Sequence, residues 1–149
     1  MPFEFKLVRR VEFSETDAAG IVHFSNFFRY MEAVEHAFIR SLGFSVKLDQ
    51  HDPPLGFPRI HADCDYRAPL RFEEEFEAGL LVREKRTRSL GYDIRFRRVG
   101  GGEVARGNLV VVCVAHRPDG SLAPTPIPGE LARLIEVAPA DRLGSGPGP

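Results

Sequence analysis

Residues 15–32, which read Glu15-Thr-Asp-Ala-Ala-Gly-Ile-Val-His-Phe-Ser-Asn-Phe-Phe-Arg-Tyr-Met-Glu32, join an acidic, glycine-containing loop to the only long helical pattern in the sequence. That pattern runs from about Ser25 to Leu42. Its apolar residues at helical spacing are Phe27, Met31, Val34, Phe38 and Leu42, and the stripe is widened by Phe28, Tyr30 and Ile39. Because this stripe is wider than a surface helix needs, we expect a sheet to wrap around the helix. Ser25 is expected to cap its start, and Gly43 to follow its end.

The rest of the sequence shows the two-residue alternation and the apolar runs that are typical of β-strands. Strands are expected near residues 3–13, 60–67, 74–87, 91–99 and 103–116. The nearly unbroken apolar run over residues 109–115 indicates a strand that is covered on both faces. Prolines and a glycine between positions 53 and 58 indicate a loop over residues 49–59. One strand, one long helix and four further strands with short connections predict an α+β fold with an antiparallel sheet of about five strands.

The loop before the helix places the Asp17 carboxylate a few residues ahead of the helix start near Ser25 or Asn26. Gly20 is the one loop residue that adopts a positive φ freely. The start of a helix carries backbone N–H groups without intrahelical partners, at the positive end of the helix dipole. A carboxylate beside such donors is suited to attack on a carbonyl whose oxygen the donors hold. A turn or capping role for Asp17 is the alternative that the residues alone leave open.

Composition and charge restrict the class of protein. A chain of 149 residues with 43% hydrophobic and 28% charged residues fits one soluble domain, which we place at residues 1–143. The Gly/Pro-rich tail, residues 144–149, is expected to be disordered. A net charge of -1 gives no support for nucleic acid or an anionic membrane as a partner. Cys64 and Cys113 lack a paired spacing and are expected to be free thiols. Without a signal peptide or an apolar span, the expected location is the cytoplasm.

The order Thr16-Asp17, Gly20-Ile21-Val22 and then Asn26 before an aromatic helix resembles the 4-hydroxybenzoyl-CoA thioesterase family. That family consists of acyl-CoA thioesterases with the hotdog fold, in which an antiparallel sheet wraps around one long central helix. Three looser matches are residues 65–70, which contain a Tyr-x-x-Pro pattern, residues 89–96 at a strand entry, and residues 127–131 with a proline after the last strand. The resemblance covers roughly residues 5–135 and implies both the hotdog fold and an acyl-CoA hydrolase.

By this resemblance Asp17 is the catalytic carboxylate, either as general base or as nucleophile through a mixed anhydride. The backbone N–H of Phe24 would polarise the thioester carbonyl. His23 is a third catalytic candidate, because an imidazole can protonate the leaving group near neutral pH or line the pocket. The resemblance also implies a homodimer or homotetramer, with pockets at the subunit interface and coenzyme A lying across it.

Further residues are expected to bind the substrate: Gly20, Ile21, Val22, Asn26, Tyr66, Ser89, Leu90, Gly91, Arg86 and Arg88. The two arginines belong to a basic cluster with Arg83 and Lys85, which can meet the phosphates of coenzyme A. Neighbouring strand residues point to opposite faces, so only part of this cluster can reach any one phosphate. Asn26 is expected to cap the helix or to orient the loop.

Other functions and catalysts stay open at this point. The chain can be a hotdog protein that binds acyl thioesters without hydrolysing them, or a hotdog dehydratase that uses His23 and Glu35. A second hotdog thioesterase family uses a helix glutamate, so Glu32 or Glu35 is the alternative catalyst. Glu32 and His36 lie one helical turn apart, but no third ligand is evident. We therefore expect neither a metal site nor a cofactor.

Overall fold

The computed structural model describes residues 2–144 and contains two sheets, one long helix and two short helices. The strands are β1 (Glu4–Arg10), β2 (Leu55–Gly56), β3 (Arg59–Tyr66), β4 (Glu75–Lys85), β5 (Ser89–Arg98), β6 (Glu103–Val112), β7 (Val114–His116) and β8 (Leu122–Pro124). The helices are α1 (Asn26–Ser41), α2 (Gly129–Ala132) and α3 (Ala140–Leu143), and a 3₁₀ turn spans Phe13–Glu15. The expected α+β class with five strands in the main sheet is confirmed.

The main sheet is antiparallel throughout and has the order β1-β4-β5-β6-β3. One face packs on α1, and the core between them is aromatic and aliphatic. Phe96, which is fully buried on β5, stacks edge to face on Phe27 of α1 at a centroid distance of 5.3 Å. Phe38, further along α1, meets Tyr92 of β5 at 6.2 Å. The wide apolar stripe is buried as predicted at Tyr30 and Ile39, whereas Phe28 is 36% exposed.

The start of α1 differs from the prediction in one respect. Ser25 occupies the capping position, but its side chain makes no hydrogen bond to the first helical turn, so the expected side-chain cap is wrong. The backbone of Ser25 is itself helical, which is not the extended geometry that a capping side chain requires. The Ser25 hydroxyl instead lies 2.7 Å from Nδ1 of His23. Gly43 follows the helix with a φ of 87°, as predicted.

The apolar run over residues 109–115 does not form one continuous strand. β6 ends at Val112, and the next residue, Cys113, donates its N–H to the carbonyl oxygen of Arg88 at 2.7 Å, in register with the pairing of β5 and β6. The chain then enters β7, which pairs with β2 and β8 in a separate three-stranded sheet. The segment expected to be a loop, residues 49–59, thus contains the short strand β2 and the first residue of β3.

Two further expectations concern the C-terminal tail and membrane-spanning helices. The predicted tail, residues 144–149, lies outside the described residues except for Gly144. Within residues 2–144, no helix combines the length and the apolar character needed to cross a membrane.

Candidate active site

The loop before α1 is closed by short backbone hydrogen bonds. Thr16 and Val22 form an isolated bridge, and within it the Asp17 N–H donates to the Ile21 carbonyl at 2.8 Å. Gly20 turns the chain with a φ of 83°, which confirms the expected need for glycine there. The Val22 N–H donates to the Leu70 carbonyl at 2.8 Å, which fixes the loop against the segment that follows β3.

The Asp17 carboxylate is oriented through one of its two oxygens. Oδ1 accepts hydrogen bonds from the N–H groups of Ala19 at 2.8 Å and Ile21 at 3.3 Å. Within residues 2–144, no group donates to Oδ2. The side chain is half-buried. The loop backbone therefore fixes the carboxylate while one oxygen remains available for a reactant.

The first turn of α1 directs one backbone donor away from the helix. The carbonyl of His23 accepts the Asn26 N–H at 2.9 Å. Because the peptide group is planar and trans, the N–H of Phe24, which shares that group, points in the opposite direction. Among the residues that the structure describes, no group accepts a hydrogen bond from this N–H. It also lies at the positive end of the helix dipole, where a developing negative charge is stabilised.

A cavity of about 460 Å³ brings these groups together. It is lined by Asp17, Ile21, Val22, Phe24, Phe27, Tyr66, Arg67, Ala68, Pro69 and Leu70. Most of this wall is apolar, and Asp17 and Arg67 are the only acidic and basic side chains among the residues that line it. The structure thus unites the predicted residues Asp17, Phe24 and Tyr66 in one place.

Sequence reasoning missed part of this wall, namely Phe27, Arg67, Ala68, Pro69 and Leu70. Residues 67–70 lie inside the Tyr-x-x-Pro segment, so that pattern was the available signal for them. Their contact with the loop depends on the long-range hydrogen bond from Val22 to Leu70, which no local pattern predicts.

A second layer of polar contacts lies behind the loop. The Glu15 carbonyl accepts the His23 N–H at 2.9 Å and the side-chain amide of Asn26 at 2.8 Å. Asn26 is the first residue of α1 and not its cap, so the expected capping role is wrong, and its side chain orients the loop. It does not line the cavity within one protomer, and its contact with substrate stays a prediction. Both bonds fix the distance between the two ends of the loop that carries Asp17.

His23 lies beside the cavity wall and not among its lining residues. Its Nδ1 accepts the backbone N–H of Ser25 at 3.3 Å, and its ring stacks on Phe24 with a centroid distance of 4.5 Å. Since Nδ1 is an acceptor here, the proton of the neutral ring lies on Nε2. A role for His23 in catalysis stays a prediction.

A family model that describes the thioesterase superfamily matches residues 19–105, more than half of the chain. The chain belongs to the thioesterase superfamily. Over 84 residues it is 44% identical to a putative esterase of Aquifex aeolicus (strain VF5), a match that spans 56% of this chain and 63% of that protein. Over 108 residues it is 27% identical to a 1,4-dihydroxy-2-naphthoyl-CoA hydrolase of Trichodesmium erythraeum, and this match spans 71% of this chain and 78% of the hydrolase.

Solved structures of other members agree with this assignment. A gentisyl-coenzyme A thioesterase is 30% identical and superposes with a TM-score of 0.77 over 89% of this chain and 100% of its own. The 4-hydroxybenzoyl CoA thioesterase of Pseudomonas sp. strain CBS-3 is 18% identical, with a TM-score of 0.80 over 89% of this chain and 99% of its own. The expected hotdog fold and the resemblance to hotdog thioesterases are thereby confirmed.

Five of the residues predicted to bind the substrate lie far from Asp17 within one protomer. They are Ser89, Leu90, Gly91, Arg86 and Arg88. Ser89 pairs with Val112, whereas Phe96, at the cavity end of β5, pairs with Ala105. Phe96 lies seven positions after Ser89, which corresponds to about 23 Å along a strand. Leu90 is buried in the core, and Arg86 forms an ion pair with Glu84. One protomer therefore does not bring this group to the cavity.

The helix acids also lie away from the cavity. Glu35 is 1% exposed and accepts a hydrogen bond from Nη2 of Arg59 at 2.5 Å. Burial raises the pKa of Glu35 to about 7, and the Arg59 guanidinium partly opposes this rise. Glu35 follows Asn26 by nine residues, about 14 Å along the helix axis, so His23 and Glu35 do not form one site.

The possibility of a metal site near these acids gains no support from the geometry. Glu32 is half-exposed and lies 3.6 Å from Nε2 of His36. Within residues 2–144, no group of three or more histidine, cysteine, aspartate or glutamate side chains is arranged to hold a metal ion.

Proposed function

We propose that this protein hydrolyses acyl-CoA thioesters, with Asp17 as general base or nucleophile and the Phe24 N–H as the donor to the thioester oxygen. The observation that carries this proposal is the shared cavity, which is lined both by Asp17 and by Phe24. Oδ2 of Asp17 and the Phe24 N–H have no partner within residues 2–144, so both are available to a substrate. Membership in the thioesterase superfamily supports the same reaction.

The two groups supply what thioester hydrolysis requires. In the general-base route, Asp17 removes a proton from water while the water oxygen bonds to the carbonyl carbon. In the nucleophilic route, the carboxylate oxygen forms that bond and gives a mixed anhydride, which water then hydrolyses. In both routes the Phe24 N–H stabilises the oxyanion, and its collapse breaks the carbon–sulfur bond. The thiolate of coenzyme A then takes up a proton, and the acyl group leaves as the free acid.

The cavity wall supports an apolar acyl group, aromatic ones included. The rings of Phe27 and Tyr66 stand edge to face at a centroid distance of 5.4 Å, and Leu70 adds an aliphatic surface. Such walls favour flat apolar groups because aromatic rings bury a large area in defined geometry. The Trichodesmium relative is named for 1,4-dihydroxy-2-naphthoyl-CoA and the gentisyl-coenzyme A thioesterase for another aromatic acyl group, which supports the same class.

A panel of acyl-CoAs tests this function. We expect thiol release from benzoyl-CoA to be faster than from butyryl-CoA or palmitoyl-CoA, because a ring fills the aromatic cavity without a long chain outside it. The measurement is the release of free coenzyme A with a thiol reagent at equal substrate concentrations. Binding of all three without thiol release would favour the non-hydrolytic alternative. Dehydration of a 3-hydroxyacyl-CoA without thiol release would favour a dehydratase.

We also propose that two copies pair through β3. β3 is an edge strand whose only partner among the described strands is β6, and Ile60 on it is 63% exposed. An edge strand with free backbone groups is a template for another strand. Antiparallel pairing about a twofold axis would place the Arg59 end of the partner's β3 beside Tyr66. The end of the partner's sheet that carries Arg88 and Ser89 would then approach the Asp17 cavity, and the two groups of predicted residues would form one site.

Self-association is tested by light scattering. We expect a particle of at least twice the 16.7 kDa chain mass at micromolar concentration, and a fourfold mass would indicate the tetramer. Ile60→Lys should weaken the assembly, because lysine on an edge strand opposes strand pairing. Val8→Lys is the matched control, since Val8 is 55% exposed on the opposite edge strand, β1. A stable monomer of the unaltered protein would contradict this proposal.

A further inference from the structure

We propose that Tyr66 is a positioning residue whose hydroxyl sets the direction of the Phe24 N–H. This inference rests on the proposed function, in which that N–H holds the thioester oxygen. It assigns to Tyr66 a task different from substrate contact, because the hydroxyl acts through the backbone of Phe24.

The hydroxyl of Tyr66 donates to the carbonyl oxygen of Phe24 at 2.9 Å. This bond joins residues 42 positions apart and fastens the start of α1 to the end of β3. The only other hydrogen bond to that carbonyl within residues 2–144 comes from the Phe27 N–H at 3.4 Å, which is long for an N–H to oxygen bond. The Phe24 side chain is 62% exposed, so core packing does not hold this residue in place. Tyr66 is therefore the strongest restraint on the Phe24 carbonyl.

Two peptide groups flank the Cα atom of Phe24, and each is held from outside. The His23–Phe24 group is fixed through the His23 carbonyl, which accepts the Asn26 N–H. The Phe24–Ser25 group is fixed through the bond from Tyr66. With both planes held, the two backbone dihedrals of Phe24 are restrained, since peptide groups are rigid. Loss of the Tyr66 bond frees the Phe24–Ser25 plane, so the first turn of α1 can rotate. Asn26 rotates with that turn and moves the His23 carbonyl, and the Phe24 N–H of the same peptide group then changes direction.

The tyrosine is itself well anchored for this task. Its backbone pairs with Ala105 of β6, and its ring packs edge to face on Phe27. Loss of hydration raises the pKa of Tyr66 to about 12, so the hydroxyl remains a donor throughout the pH range of an enzyme assay. A fixed donor on a strand thus holds a backbone group at the start of a helix.

Tyr66→Phe tests this role because it removes the hydroxyl and keeps the ring in the cavity wall. We expect kcat for benzoyl-CoA to fall about 10-fold, less than the loss on deleting an oxyanion donor outright, with KM changed less than about twofold. Tyr92→Phe is the matched control: it deletes a hydroxyl from a buried tyrosine on the same face of the sheet. That control should retain kcat even if it melts at a different temperature.

A vibrational measurement separates positioning from a general structural effect. Benzoyl-CoA with a ¹³C carbonyl is bound to the Asp17→Asn variant, and its carbonyl band is recorded by difference infrared spectroscopy. We expect a band at lower wavenumber than in solution, and a shift back toward the solution value in the Asp17→Asn, Tyr66→Phe double variant. A merely structural role of Tyr66 would leave the band unchanged in the folded protein.

The outcomes distinguish this inference from the function on which it rests. If the unaltered protein releases no thiol, or if Asp17→Asn retains the full rate, the proposed function fails and this inference fails with it. If both tests succeed while Tyr66→Phe keeps kcat within about twofold and leaves the carbonyl band unchanged, the function stands and only the positioning role is overturned.

Discussion

Replacement of Asp17 by asparagine is expected to lower kcat for benzoyl-CoA at least ~100-fold, with a far smaller change in KM. An amide neither takes up a proton at neutral pH nor attacks a carbonyl well, so both routes of hydrolysis lose their reactive group. The Phe24 N–H and the apolar wall of the cavity remain, and thioester binding should survive. Steady-state kinetics with benzoyl-CoA and a direct binding measurement check the two parts of this prediction.

The fold of the Asp17→Asn variant should be unaffected. Oδ1 of the aspartate accepts the N–H groups of Ala19 and Ile21, and the oxygen of an asparagine can accept the same two bonds. No described residue donates to Oδ2, so the amide nitrogen replaces an oxygen that has no donor within residues 2–144. An unchanged melting temperature would show that the loss of rate has a chemical origin.

Two further variants decide between catalysts. Asp52→Asn makes the same chemical change in an exposed carboxylate that neither lines the cavity nor lies on β3, and it should keep full activity. Glu35→Gln should also keep the chemical step, because Glu35 is bonded to Arg59 away from the cavity. If Asp17→Asn hydrolyses at the normal rate and Glu35→Gln does not, the helix glutamate is the catalyst and the proposed mechanism is wrong.

Gly107→Ala is expected to cause a large loss of stability, about 3 kcal/mol in the free energy of unfolding. Gly107 lies on β6 where α1 crosses the sheet, and a Cβ atom there would overlap Met31 Cε and the carbonyl oxygen of Asp63. The Met31 side chain can move, but the Asp63 oxygen belongs to the backbone of β3. The new methyl group would therefore separate β3 from β6 or lift α1 from the sheet.

Gly79→Ala is the matched control for this variant. Gly79 lies on β4, and a Cβ atom there would meet only the Arg95 carbonyl oxygen at 3.8 Å, an ordinary contact distance. Thermal unfolding should show a melting temperature lower by roughly 10 °C for Gly107→Ala and little change for Gly79→Ala. Equal melting temperatures for the two variants would show that β3 and α1 adapt to the extra atom at no cost.

Local sequence pattern predicted α1 and the loop before it well. The spacing of Phe27, Met31, Val34 and Phe38 follows from the geometry of one helix, and Gly20 from the steric limits on one residue. Neither depends on distant parts of the chain. The Ser25 cap was predicted wrongly because residue type alone does not show that its hydroxyl turns to His23.

The amino-acid sequence by itself therefore determined the α+β class, the length of α1, and the presence of a carboxylate and a free N–H around one loop. Only the tertiary structure decided what surrounds them. The wall of residues 67–70, the bond from Tyr66 to Phe24 and the close approach at Gly107 all join residues far apart in the chain. The distance between Asp17 and the Ser89 end of β5 likewise follows from strand register. Periodicity reports which face a residue occupies, whereas register and packing decide which distant residues meet.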